Sequence, residues 1–234
     1  MGIQGLKYLI IIPARGGSKG IPKKNIVPLK GSPLIHYTID AALRVVSNRS
    51  DIHAIVSTDD VEIKKVALRS GIEVPFLRPQ IISNDHSSSV DYILHAVEFY
   101  FQKNIDIENI IILQPTSPLR QATDIINAID LFNNENTDSL ISVYEEHTLN
   151  NKITYKQDGK YGLPLDEAHN FGHRRQDDSA FLVRNGAIYI TSVNLVKDSG
   201  KIVSNNPLIY LMPKYRSVNI DTHDDLFIAE KMLS

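Results

Sequence analysis

Residues 13–25 read Pro-Ala-Arg-Gly-Gly-Ser-Lys-Gly-Ile-Pro-Lys-Lys-Asn, a stretch that gathers three glycines, one arginine and three lysines. Glycine lets backbone approach a ligand closely, and amide N–H groups with cations around them surround negative charge. The chemistry these residues suit is the cradling of a polyphosphate. No Gly-Lys-Ser/Thr closes a Walker A spacing, and G-x-G-x-x-G is absent. Gly16-Gly17-Ser18-Lys19-Gly20 does match the G-x-S-x-G of a hydrolase elbow. An elbow runs straight into a helix, however, and Pro22 and Pro28 deny one here. A solvated turn remains the plainer alternative.

A second cluster, Leu113-Gln114-Pro115-Thr116-Ser117-Pro118-Leu119-Arg120, leaves an apolar run through two prolines. It offers amide, hydroxyl and guanidinium groups on a rigid loop, or else a strand-to-helix connection with a Ser or Thr cap. Other polar groups read first as helix caps. Ser57-Thr58-Asp59-Asp60 precedes one helical pattern, Ser88 or Ser89 another, and Thr222 with Asp225 makes a capping box. Alternation along Val218-Asn219-Ile220-Asp221 puts Asn219 and Asp221 on the same face. His169 and His173 are separated by Gly172 and lack H-E-x-x-H, so zinc is not expected. Glu145-Glu146 before His147 reads as a surface feature.

The elements that must hold these groups alternate. Leu6–Ile12, Ile52–Val56 and Asn109–Leu113 are short apolar runs, read as strands buried on both faces of a mainly parallel sheet. Helical stripes fall on Leu34–Val46, Ile63–Ala67, Val90–Val97 and Ile125–Leu131. The expected fold is therefore α/β, with a doubly wound, mainly parallel sheet. Ligands bind such sheets outside the carboxyl ends of the strands, which is where the polar clusters fall. The rhythm breaks after Val143. Residues 1–144 and 184–234 are expected to form the α/β domain, and 145–183 an inserted arm containing a small hairpin near Tyr155–Tyr161. Gly186–Thr191 and Leu208–Met212 resume the sheet, and Thr222–Leu233 closes with a helix.

The 234 residues suit one such domain. A net charge of −2 gives no basic footprint for nucleic acid. With no cysteine, disulfides and thiolate chemistry are excluded, in keeping with a reducing cytoplasm. The run Tyr8–Ile12 stops at Pro13, too short for a signal segment or a membrane span.

Together, residues 12–25 and 113–120 resemble the CMP-sialic acid synthetases, the acylneuraminate cytidylyltransferases, a family that includes CMP-legionaminic and CMP-pseudaminic acid synthetases. Further matches are Val56-Ser57-Thr58-Asp59, Arg78-Pro79 with Asp85, Arg175-Gln176-Asp177, Asn185–Ile190 and Ile220-Asp221-Thr222. The resemblance covers essentially the whole chain and implies transfer of CMP from CTP to a nonulosonic acid, with Mg²⁺ and release of pyrophosphate. It also implies a nucleotide-diphospho-sugar transferase-like fold. Arg15, Gly17, Ser18, Lys19, Gly20, Lys24 and Asn25 correspond to the CTP loop. Lys24 is expected to stabilise charge on the α-phosphate, with Arg15 and Lys19 at the β/γ end. Arg78, Ser88 and Ser89 line up with the cytidine, and Gln114, Ser117 and Arg120 with the sugar acid. Arg175 and Gln176 belong to an arm exchanged between two copies of the chain, so a homodimer is implied. The family carries two aspartates for the metal, and here they are Asn219 and Asp221. An amide oxygen can face a hard cation but brings no charge. Rival readings are a CMP-Kdo or GTP-using nucleotidyltransferase, and a non-catalytic nucleotide-binding homologue.

Overall fold

The structure, a computed structural model, describes residues 5–18, 20–47, 49–148, 153–170 and 180–233. Strand β1 (Leu6–Pro13) is followed by a minimal hairpin, β2 (Pro28–Leu29) and β3 (Ser32–Pro33), that the sequence pattern does not announce. Helix α1 (Leu34–Val46), β4 (Ile52–Ser57), α2 (Val61–Arg69), α3 (Ser89–Phe101), β5 (Ile107–Ile112) and α4 (Ala122–Asn134) complete the first half. Strands β6 (Ser139–Glu146), β7 (Tyr155–Asp158), β8 (Tyr161–Pro164) and β9 (Phe181–Ser192) come next. A further unanticipated helix α5 (Val193–Ser199), then β10 (Leu208–Leu211) and α6 (His223–Met232), end the chain.

Six strands form the central sheet, in the order β10-β6-β9-β5-β1-β4. Strand β1 pairs in parallel with β4 and β5, and β10 in parallel with β6. Strand β9 alone runs antiparallel to both neighbours. It does so because the excursion between β6 and β9 brings the chain back beside the strand it has just left, as in a long-looped hairpin. The twofold period of β1 divides its side chains between two cores. Tyr8, Ile10 and Ile12 pack with α1, α2 and α4, while Leu9 and Ile11 pack with α3 and α5. Helices thus cover both faces, and the near-continuous apolar runs of β1 and β5 follow from that. A third, smaller core joins Ile21 to Leu29, Leu34, Ile220 and Ala229, docking the glycine-rich loop on the segment before α6.

Beyond the sheet, β6 runs to Glu146 and β9 starts at Phe181, so the pair extends past the two anticipated boundaries. The hairpin β7–β8 is antiparallel and exposed along its length. Among the described residues, no helix is long and apolar enough to cross a membrane.

Glu146 departs from the surface role expected of it. It is 5% exposed and accepts from Lys214 Nζ at 2.8 Å and from the Thr148 amide at 2.7 Å. These donors, the lysine first, hold its carboxyl down at a pKa of about 2 against a usual 4.5. A depressed folded-state pKa gives stability that is complete above the usual value and is lost as pH falls from there toward 2. Lys214→Met is therefore expected to lower stability most at neutral pH, with the loss shrinking as pH falls toward 2, and to move the acid unfolding midpoint to higher pH. A circular-dichroism acid titration checks this, and an unchanged midpoint would count against it.

Candidate active site

The glycine-rich loop leaves the carboxyl end of β1 and is pinned at both ends by close backbone approach. The Gly16 amide donates to Asp59 Oδ1 at 2.9 Å, and a Cβ on Gly16 would lie 2.7 Å from Asp60 Oδ2. Asp60 itself caps α2 through the Glu62 and Ile63 amides, as its position before that helix suggests. A Cβ on Gly20 would lie 2.4 Å from the Asp221 carbonyl oxygen. Only glycine permits the loop to rest there. Asn25, 7% exposed, closes the turn by donating to the Arg15 carbonyl at 2.9 Å.

Around this loop a cleft of about 570 Å³ opens beyond the ends of β1, β4 and β5. Of the anticipated site residues, Arg15, Ser18, Gly20, Lys24, Asn25, Arg78, Ser88, Ser89, Gln114, Asn219 and Asp221 all line it. Lys24 Nζ donates to Asp221 Oδ1 at 2.8 Å and to the Ile220 carbonyl at 2.9 Å. Asn219 Nδ2 donates to the other Asp221 oxygen at 2.7 Å, leaving its own buried Oδ1 without a donor among the described residues. The Ile220 amide bonds to the Thr116 carbonyl at 2.8 Å, so this segment is fastened to the loop after β5.

Arg78 forms part of the opposite wall. It is 6% exposed, donates from Nε to Ser57 Oγ at 3.1 Å and from Nη2 to the Ser57 carbonyl, and lies 5.0 Å from the Tyr92 ring centroid. Burial lowers its pKa, and raises that of Tyr92 to about 12. Ser88 both borders the cleft and caps α3 in a box with Asp91, so its capping role does not withdraw it from the cleft wall. Gln114 lies over Gly186, whose φ of +73° and lack of Cβ leave room for the amide. A Cβ there would meet Gln114 Oε1 at 2.8 Å.

Ser117 and Arg120 do not face the cleft. Both prolines occupy the second position of a tight turn, with Ser117 N–H bonding to the Gln114 carbonyl and Arg120 N–H to the Ser117 carbonyl. The two turns draw both side chains beneath the loop. Ser117 is fully buried, its hydroxyl 3.5 Å from the Asn185 carbonyl, and Arg120 is 3% exposed. Arg120 Nη1 donates to the Ala187 carbonyl at 2.8 Å and to the Gln114 carbonyl at 3.3 Å, bracing the loop against β9. Burial lowers its pKa to about 9, so it stays charged at neutral pH. Gly17 lies on the loop's open side, where an added methyl would meet nothing within 4 Å, and it takes no part in the cleft wall. Lys19, Arg175, Gln176 and His173 lie outside the described residues.

Two residues matter more than their sequence context suggests. Asp59 holds the glycine loop, and Asn185 ties β6 to Ser217 in the segment ahead of Asn219. Asn185 accepts from Ser142 Oγ at 2.6 Å and donates to Ser217 Oγ at 2.9 Å. An Asn-Gly pair interrupting a strand pattern is the signal that could have found it. Among the described residues no group of three or more His, Cys, Asp or Glu side chains is arranged to hold a metal ion.

A family model described as cytidylyltransferase matches residues 9–207. The chain is 32% identical over 225 residues to a pseudaminic acid cytidylyltransferase of Campylobacter jejuni, covering 96% of this chain and 95% of that one. It is 33% identical over 221 residues to an N-acylneuraminate cytidylyltransferase of Streptococcus agalactiae, covering 94% of this chain but only 52% of the relative. The chain thus spans about half the length of some curated relatives it matches. A solved CMP:2-keto-3-deoxy-manno-octonic acid synthetase complexed with CTP superposes with a TM-score of 0.70 at 17% identity, covering 97% of this chain and 98% of that one. That likeness supports the fold.

Proposed function

The chain belongs to the cytidylyltransferase family, and from that premise we propose that it transfers CMP from CTP to the anomeric hydroxyl of a nonulosonic acid, releasing pyrophosphate. The observation that carries this reading is the single cleft in which the glycine loop, Lys24, Arg78 and Gln114 meet at the ends of the parallel strands. In the transfer, the anomeric oxygen bonds to the α-phosphorus as the α–β bridging bond breaks, and the hydroxyl proton passes to solvent. Such a reaction needs positioning and charge stabilisation more than a protein nucleophile. Lys24 supplies positive charge at the α-phosphate, and Arg15, with the loop amides, takes the β/γ end. Arg78 and Ser88 meet the cytidine, and Gln114 meets the acid. Arg175 and Gln176 complete the acceptor site from the arm of a second copy. The exposed Tyr155, Tyr161, Leu163 and Leu165 of the arm are the apolar surface that such a homodimer covers. We place the reaction in the cytoplasm, where CTP is available.

Mg²⁺ belongs to this proposal. The Asp221 carboxylate in the cleft wall and the donorless Asn219 Oδ1 are the protein oxygens that would hold it, which suits an ion that takes one or two protein oxygens and otherwise binds phosphate and water. Bound there, it would neutralise phosphate charge. Asn219→Asp adds a negative ligand, and the Mg²⁺ concentration for half-maximal rate is expected to fall several-fold. A metal titration of initial rates checks this, and an unchanged or higher requirement removes Asn219 from the metal site.

The function itself is tested by Mg²⁺-dependent pyrophosphate release from CTP, with N-acetylneuraminic, legionaminic, pseudaminic and Kdo acids as parallel acceptors. Release with one of the first three is expected. Release with Kdo alone moves the acceptor class. Silence with all four while CTP binds overturns the transferase reading in favour of a non-catalytic homologue.

A further inference from the structure

We propose that Asp85 is a specificity-determining residue of the nucleotide cleft: it holds Arg15 in the free protein and sets how much negative charge a ligand must bring to take that arginine. The inference deepens the nucleotide reading above and rests on it. Arg15 Nη1 and Asp85 Oδ1 are 2.7 Å apart, and both side chains line the cleft. Arg15 comes from the loop after β1, Asp85 from the turn ahead of α3, so the pair spans two walls.

Both backbones are fixed. The Arg15 carbonyl is held by Asn25, while Asn84 Nδ2 donates to the Ile81 carbonyl at 2.9 Å and the His86 amide donates to Asn84 Oδ1 at 2.9 Å. The two side chains are part-exposed, at 35% and 40%. Half-exposed ion pairs are weak because water screens them, so this one opens for a stronger anion. Among the described residues lining the cleft the cations are Arg15, Lys24 and Arg78, and the carboxylates are Asp85 and Asp221. Lys24 is matched by Asp221 as Arg15 is by Asp85, so the cleft's positive charge is largely answered before any ligand enters.

A ligand therefore exchanges one anion for another at Arg15. A triphosphate or pyrophosphate outcompetes a single carboxylate, since it presents several oxygens and more charge. A mononucleotide with one phosphate does not reach both cations and leaves the Arg15–Asp85 pair closed. The same exchange, run backwards, favours release of pyrophosphate once transfer is complete.

The test is calorimetry of pyrophosphate, CTP and CMP with wild type, Asp85→Asn and Asp85→Glu, with thermal unfolding as the check on folding. Asp85→Asn is expected to tighten pyrophosphate and CTP by about threefold to tenfold, with CMP unchanged and Asp85→Glu close to wild type. Weaker pyrophosphate binding in Asp85→Asn overturns the proposal and makes Asp85 a support for Arg15. Equal affinities overturn it too. If Asp85→Asn does not fold, Asp85→Ser gives the same reading. Should wild type bind pyrophosphate but not CTP, with Asp85→Asn still tightening the former, the nucleotide reading fails and the Asp85 proposal stands.

Discussion

Replacing Lys24 by methionine is expected to lower the rate of pyrophosphate release by about 10²–10³-fold, with the CTP dissociation constant changing by about tenfold or less. Methionine keeps the unbranched stem in a side-chain pocket that is 16% exposed, so the loop stays packed. What is lost is the ammonium that Asp221 Oδ1 and the Ile220 carbonyl hold in the cleft wall. A cation held in advance by protein acceptors needs little rearrangement when charge develops on the substrate, which is why its effect falls on turnover. Single-turnover rates beside CTP calorimetry separate the two effects. A normal rate in the variant would leave Lys24 only the task of bracing Asp221.

The second large effect is expected from Gly20→Ala. The new methyl carbon would stand 2.4 Å from the Asp221 carbonyl oxygen, where ordinary contact begins at 3.4 Å. The obstacle is backbone, so it cannot swing aside. Either the glycine loop or the Asp221 segment must retreat, separating Lys24 from Asp221 and loosening Ile21 against Ile220. The expected cost is ~1–3 kcal/mol in stability from overpacking and about 10²-fold in kcat/KM from misplacing the loop. Gly17→Ala serves as the stability control, because nothing lies within 4 Å of its added methyl. If Gly20→Ala melts and turns over like wild type, the contact between loop and Asp221 segment does not position the site.

Much of the fold could be read from local pattern. The apolar runs of β1, β4 and β5 and the stripes of α1 to α4 stand close to where period and composition put them. Those patterns record burial on one or both faces, which each segment carries in its own residues. The direction of β9 was not legible in this way, because an apolar run reads the same in a parallel or an antiparallel ladder. Neither was α5, a helix of only 7 residues.

The site divides along the same line. Residue types alone indicated a phosphate-cradling loop after β1 and placed Asn219 and Asp221 on one face. They could not show that Ser117 and Arg120 turn beneath their loop, since that follows from two successive turns packing against β9. Nor could they pair Gly16 with Asp59, 43 positions away, or Lys24 with Asp221, 197 positions away. Side-chain type and local period are properties of a segment and survive in the bare sequence. Which carboxylate answers which cation depends on loops brought together at one edge of the sheet, and only the folded chain decides that.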